Sequence, residues 1–188
     1  MATSKTGTAT KVAGLTAEGP DNSAIVEASR QGNREAFGEL YSAYAPMVHG
    51  VLLARVPWRE VDDLVQDVFL AAFKRMATLR DNASFGGWLA MIARNRAVDY
   101  HRRARQSEEA VEVSERSRSE AETDAQKILQ MVKSLPEAYR ETLILRLVEG
   151  MSGPEIAQRT GLTPASVRVN LHRGMKLLRE ALGMEERA

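Results

Sequence analysis

From Arg94 to Arg105 the chain reads RNRAVDYHRRAR. Arg94, Arg96, Arg102, Arg103 and Arg105 stand against a single acid, Asp99, with Asn95, Tyr100 and His101 among them. Guanidinium groups neutralise phosphates, an amide can read a base edge, and an aromatic ring stacks on an unpaired base. The chemistry these residues offer is binding of a nucleic-acid strand. A solvated helix with an arginine excess is the competing reading of the same residues. Bond-making chemistry finds no support. There is no cysteine, and His49, His101 and His172 lie far apart in sequence. No nucleophile sits beside a base, and no cluster has metal-ligand spacing. The expectation is a binding protein, not an enzyme, without metal or cofactor.

The basic run needs an element to hold it. Trp88, Leu89, Ile92 and Ala93 recur at three- and four-residue steps, so a helix over Phe85–Arg105 would bury one flank and present the arginines on the other. Trp88 could be a stacking platform, but its place on the apolar stripe favours the core. Upstream, Val61, Leu64, Val65, Val68, Phe69, Ala72, Phe73 and Met76 keep the helical period, and Asp62, Asp63, Gln66 and Asp67 occupy the outer face of the first turns. Before that, Ser23 is placed to cap a short helix through Arg30. Gly32-Asn33 would break it and cap the next. That helix carries Ala36, Phe37, Leu40, Tyr41 and Tyr44 on one face, with Pro46 expected to kink or interrupt it before Val48, Val51 and Leu52. These helices make a bundle over 23–105.

A second helical unit is expected over 126–183. Ile128, Leu129, Val132 and Leu135 form an apolar stripe; Pro136 starts a helix whose buried side is Leu143, Ile144, Leu147 and Val148. Ser152 with Glu155 has the capping-box spacing, Thr160-Gly161-Leu162 turns the chain, and Thr163-Pro164 opens a last helix to about Leu182. Two helices joined by a short glycine-containing turn form a helix-turn-helix. Ala157 supplies a small side chain at the crossing and Val167, Leu171, Gly174 and Leu178 the buried edge. Ser166, Arg168, Val169, Asn170, His172, Arg173 and Lys176 are left for solvent or a DNA groove, where arginine suits guanine, asparagine adenine and valine a thymine methyl. A helical hairpin with a basic outer face is the plainer alternative.

A net charge of +1 conceals segregation of basic helices from an acidic stretch over 106–125, expected to be a flexible linker. Fully extended, it would reach at most roughly 65–70 Å. That is close to two DNA turns of roughly 34–36 Å each, far enough to hold two readers on separate elements. Residues 1–22 read as a disordered tail without the apolar core of a signal peptide. No apolar run approaches the roughly 18 residues of a membrane span. The lack of cysteine fits a reducing compartment.

Taken together, 23–182 resembles a bacterial extracytoplasmic-function (ECF) sigma factor. Asp63-Leu64-Val65-Gln66-Asp67-Val68-Phe69 is similar to the D-L-x-Q-[ED]-x-F core of the family's region two. Ser84-Phe85, Trp88-Leu89 and Ile92-Ala93-Arg94-Asn95 follow its next motif. Leu135-Pro136-Glu137, Arg140, Glu155-Ile156-Ala157, Val167-Arg168 and Leu171-His172-Arg173 look like region four. Gly86-Gly87 stand where polar residues are usual, and Val169-Asn170 replace a common Ser-Arg pair.

The resemblance implies an all-α, two-domain promoter-recognition subunit acting in the cytoplasm, with core RNA polymerase and promoter DNA as partners and no membrane. It makes Asp62, Asp63, Gln66 and Asp67 candidates for the β′ clamp helices. For the melted minus-ten element it implies Arg80, Asn82, Ser84, Phe85 and Trp88 from the loop and helix start, then Arg94, Asn95, Arg96, Tyr100, Arg102 and Arg103. Asn95 matches the family position lining the pocket for a flipped base. The helix from Thr163 would read the minus-thirty-five element beside the polymerase β flap. The family is commonly held silent by an anti-sigma factor, which makes one a candidate partner. The alternatives are a freestanding helix-turn-helix regulator and an enzyme such as a recombinase. Against the first, the N-terminal unit offers a basic helix in place of an apolar ligand pocket; against the second, no catalytic cluster is present.

Overall fold

Asn33 opens α2, its side chain accepting hydrogen bonds from the amides of Glu35 at 2.9 Å and Ala36 at 3.2 Å. Gly32, at φ 91°, supplies the reversal just before it. These caps belong to a computed structural model that describes residues 22–108 and 124–183. Among them the α-helices are α1 (Ser23–Arg30), α2 (Arg34–Leu53), α3 (Val61–Arg75), α4 (Phe85–Glu108), α5 (Asp124–Ser134), α6 (Glu137–Leu147), α7 (Gly153–Thr160) and α8 (Pro164–Ala181). The expected tail, apart from Asn22, lies outside the described residues, as does most of the expected linker. Gln106–Glu108 extend α4, and Asp124 and Ala125 begin α5.

The first unit packs α2, α3 and α4 around Leu40, Met47, Val51, Val68, Phe85 and Leu89, all nearly inaccessible. Two local expectations are corrected. Ser23 is the first helical residue, not the cap; Asn22 holds that position, and its side chain donates to the Tyr44 hydroxyl at 3.3 Å. Pro46 does not interrupt α2, which runs unbroken from Arg34 to Leu53. Packing explains this: Tyr44, Met47 and Val48 on either side of the proline are buried, and their burial offsets the lost hydrogen bond.

The second unit follows its capping signals. Ser152 and Glu155 form the reciprocal capping box, with the Ser152 amide donating to Glu155 Oε2 at 2.8 Å. Gly161 takes the left-handed turn at φ 74°, and the Thr163 hydroxyl accepts from the Ser166 amide at 3.1 Å. Helix α6 departs from expectation. Leu147 and Val148 are 48% and 54% exposed, whereas the consecutive run from Glu141 to Leu145 is buried. A helix buried on every side has neighbours all round. Here α8 and α5 cover one side and α2 of the first unit the other.

The two units are therefore packed on each other. Helix α7 lies on α4, and α6 lies on α2. The end of α2 takes donors from both units: Lys133 Nζ reaches the Val56 carbonyl at 2.7 Å, Arg140 Nη1 the Ala54 carbonyl at 3.4 Å, and His101 Nε2 meets the Arg55 carbonyl at 2.8 Å. Cations suit the negative end of a helix dipole. Burial, aided by nearby Arg140, pushes the Lys133 ammonium below its ordinary pKa.

Candidate polymerase and promoter interfaces

The stripe on α3 fixes which way its acids point. Val61, Val65, Val68, Phe69 and Ala72 are buried, leaving Asp62, Asp63 and Gln66 exposed and Asp67 half-buried. Beside Gln66 runs an apolar groove of about 490 Å³, lined by Arg34, Phe37, Tyr41, Phe69, Leu70 and Phe73. Phe37 and Phe73 meet edge-on at 5.0 Å, and Tyr41 lies 4.5 Å from Phe69. Phe73, expected in the core, is 47% exposed, and Leu70 is 57% exposed. The period alone did not mark this groove, because it assigns Phe73 to the buried stripe.

The turn before α4 is built by Asp81, whose carboxylate accepts from the Ala83 amide at 3.0 Å and the Ser84 hydroxyl at 2.8 Å. Asn82 is committed to α1 at both ends of its amide. It donates to the Ser23 carbonyl and to Glu27, and accepts from Arg30. These bonds hold the Glu27 carboxyl below its ordinary pKa, with Asn82 the largest cause. Phe85, at 1% exposure, is a core side chain against Tyr44 and does not reach a bound strand in this arrangement. Trp88 is half-buried with its ring 5.9 Å from Phe85. Arg80 and Ser84 remain exposed. Together with Leu79, Ala83 and Gly87 they line a pocket of about 530 Å³ next to Trp88, whose far wall is Gln158 and Gly161 of the second unit.

Along α4 the polar face divides. Asn95, Arg102 and Arg103 are exposed; Arg96 and Tyr100 are half-buried. Arg102 pairs with Asp99 at 2.9 Å. Arg94 is engaged elsewhere: its Nε and Nη2 donate to the two oxygens of Glu141 on α6 at 3.1 and 2.7 Å. Arg55 meets the same carboxylate at 2.7 Å and Glu137 at 3.0 Å. Burial alone would raise the Glu141 pKa, but the Arg94 hydrogen bonds and both guanidinium charges outweigh it and hold the carboxyl below its ordinary range. The Arg94 pKa is raised, chiefly by its bond to Glu141.

On α8, Val167, Gly174 and Leu178 are buried as expected and Leu171 is half-buried. Arg168, Val169, His172, Arg173 and Lys176 are exposed on one continuous side. Ser166 is exposed but shares its hydroxyl with Thr163 at 2.8 Å as part of the cap. Asn170 is half-buried and borders the pocket holding Arg55, Arg94 and Glu141, so it faces the first unit. Among the described residues no group of histidines and acids could hold a metal, and no helix is long and apolar enough to cross a membrane.

Comparison with known proteins matches both units. Residues 40–107 match the family model "Sigma-70 region 2", and residues 125–178 match "Sigma-70, region 4". The chain is 32% identical over 166 residues to the RNA polymerase sigma factor CarQ of Myxococcus xanthus, covering 84% of this chain and 95% of CarQ. It is 28% identical over 170 residues to the ECF RNA polymerase sigma factor BldN of Streptomyces coelicolor, covering 84% of this chain but only 64% of that longer protein. CnrH, solved in complex with the cytosolic domain of CnrY, superposes with a TM-score of 0.61 at 25% identity, covering 89% of this chain and all of that one. Two region-specific matches in the right order, on a fold shared across nearly the whole length, place this chain in the ECF sigma factors of the sigma-70 family.

Proposed function

We propose that this sigma factor directs core RNA polymerase to its promoters by a division of labour among three faces. The outer side of α3, with Asp62, Asp63, Gln66 and Asp67, takes the β′ clamp helices. The loop from Arg80 and the polar side of α4 hold the melted minus-ten strand, with Asn95 at the flipped base and Arg94, Arg96, Arg102 and Arg103 on phosphates. Arg168, Val169, Asn170, His172, Arg173 and Lys176 of α8 read the minus-thirty-five element in the major groove, beside the β flap. The observation that carries this is the capped α7–Gly161–α8 motif, which leaves a basic, groove-sized helix face open. The chain needs no catalytic group of its own, because polymerase supplies the chemistry.

CnrH was solved with the cytosolic domain of CnrY, which favours a protein partner for this chain too, and we take that partner to be an anti-sigma factor. The absence of cysteine and the nucleic-acid partner favour the cytoplasm. In vitro transcription with core polymerase over a random promoter library tests the assignment, and enrichment of a two-part promoter is the expected result. Asn95→Ala should weaken strand opening, followed by permanganate reactivity, more than closed-complex binding. Equal losses in both would remove Asn95 from the strand pocket. Specific duplex binding by the isolated chain, as a freestanding regulator would show, runs against the proposal.

A further inference from the structure

Met91, Asn95, Val98 and Arg102 follow one another at steps of four, three and four residues along α4, so they share one ridge of the helix. All four are exposed. Two of them are apolar: Met91 is 53% exposed, and Val98, at 65%, is the most exposed large apolar side chain among the described residues. A single apolar residue in solvent needs no explanation, but two that bracket one amide on an arginine-rich helix do. Valine is a weaker helix former than alanine, lysine or glutamate, and at this exposure it gains little from packing. Neither helix formation nor core burial therefore accounts for Val98. The core side of α4 runs through Leu89, Ile92 and Ala93 and passes both residues by.

We propose that Met91 and Val98 are specificity-determining contacts for the melted minus-ten strand, each packing on the 5-methyl group of a thymine beside the base held by Asn95. The inference rests on the functional reading above and deepens it by naming the bases next to the captured one. Rings that could hold those neighbours by stacking are committed elsewhere. Phe85 is in the core against Tyr44, and Trp88 is half-buried beside Phe85. On the ridge only aliphatic side chains flank Asn95, and thymine alone among the DNA bases carries a methyl group for them to cover. The spacing suits this. Met91 and Val98 lie about 10.5 Å apart along the helix axis. That is the length of about three stacked nucleotides at about 3.4 Å each. With Asn95 on the central base, they reach its two neighbours. The charge around the ridge fits a nucleic-acid strand and not an apolar protein surface. Asp99, the one acid between Arg94 and Arg105, is paired with Arg102 at 2.9 Å, and Arg103 beside it is exposed.

Holoenzyme built with the full chain is given promoters randomised over the minus-ten element, and the bound fraction is sequenced. Thymine should be enriched on both sides of the position whose preference Asn95→Ala abolishes. The selected strand is then rebuilt as a fork-junction probe with deoxyuridine in place of each flanking thymidine, which removes the methyl group alone. Each replacement should weaken wild-type holoenzyme binding about fourfold, the effect of one methyl group leaving an apolar contact. Met91→Ala should erase the penalty at one flanking position and Val98→Ala at the other. Folding stability should not fall, because alanine suits an exposed helix position. Deoxyuridine probes that bind as tightly as thymidine probes would overturn the proposal, as would a penalty that survives in both variants. A loss equal for the two probes, with weaker retention of polymerase, would assign the ridge to a protein contact and overturn it too. If holoenzyme enriches no minus-ten sequence at all, the functional reading itself falls. An enriched element without methyl sensitivity leaves that reading standing and removes only Met91 and Val98 from it.

Discussion

Glu141 of α6 and Arg94 of α4 meet as a two-bonded fork across the boundary between the units, 47 residues apart in sequence, with the Glu141 side chain only 6% exposed. A carboxylate is removed from water at that depth only when cations replace the water, and Arg55 supplies a second one. This pair joins the helix that carries the candidate strand contacts to the domain that carries the candidate upstream reader.

Removing the carboxylate leaves Arg94 without its counter-charge and Arg55 with only the exposed Glu137. Glu141→Ala should therefore destabilise the folded chain by about 3 kcal/mol, the lower end for a broken buried pair, since Arg94 retains some contact with solvent. Urea unfolding of the full chain measures this. The acid limb has a definite sign. The Glu141 carboxyl is held below its ordinary 4.5 in the fold, so its contribution is complete above that value and is lost as pH falls through the depressed one. Wild type should lose stability on that limb more steeply than Glu141→Gln; parallel curves would mean the carboxylate charge contributes nothing.

His49 gives the opposite limb. Its Nδ1 lies 2.6 Å from Glu149 Oε1, again across the seam, and this bond raises its pKa above 6.5 against the effect of partial burial, with Asp62 adding to the rise. A raised pKa stabilises the fold fully below 6.5, and that gain disappears as pH rises through the folded value. Between pH 6 and pH 9 the unfolding midpoint of wild type should drift downward relative to His49→Gln. A constant difference between the two over that range would exclude a charged pair.

Inside the second unit, Gly174 marks where α8 crosses α6. A Cβ there would meet Leu143 Cδ1 at 2.9 Å and Tyr139 Cβ at 3.1 Å. Helix propensity favours alanine, but overpacking a well-filled crossing costs about 1–3 kcal/mol, so crowding should win. Gly174→Ala is expected to lower the thermal midpoint. A rise would show that the crossing relaxes at little cost.

The local elements were legible because their signals are local. Asn33, the Ser152–Glu155 box and Thr163 each hold a helix start with their own side chains, and the α3 stripe placed Asp62, Asp63 and Gln66 outward. What could not be read depends on a partner distant in sequence. Leu147 and Val148 fit the α6 period but are exposed, because the first unit covers the opposite side of α6 and draws in Glu141 and Thr142 instead. Pro46 argued for a break that burial of its neighbours prevents. Gly86-Gly87 was visible as a departure from the family pattern; its physical reason, contact with Arg159 and Gly161, appears only when both units are seen together.

The reading helix offers the sharpest test of DNA recognition. Arg173 is exposed on α8, nearly three turns from the Thr163 cap, on the side shared with Val169 and Lys176. An arginine there can pair with the O6 and N7 of a guanine, or it can neutralise a phosphate, and the two roles differ in what sequence does to the loss. If Arg173 reads a base, Arg173→Ala should weaken holoenzyme binding by about 1–3 kcal/mol on the cognate upstream element and much less on a scrambled one. The salt dependence should then change little. A loss equal on both sequences, with a salt slope reduced by about one, would make Arg173 a phosphate contact and leave sequence readout to its neighbours Val169, Asn170 and His172.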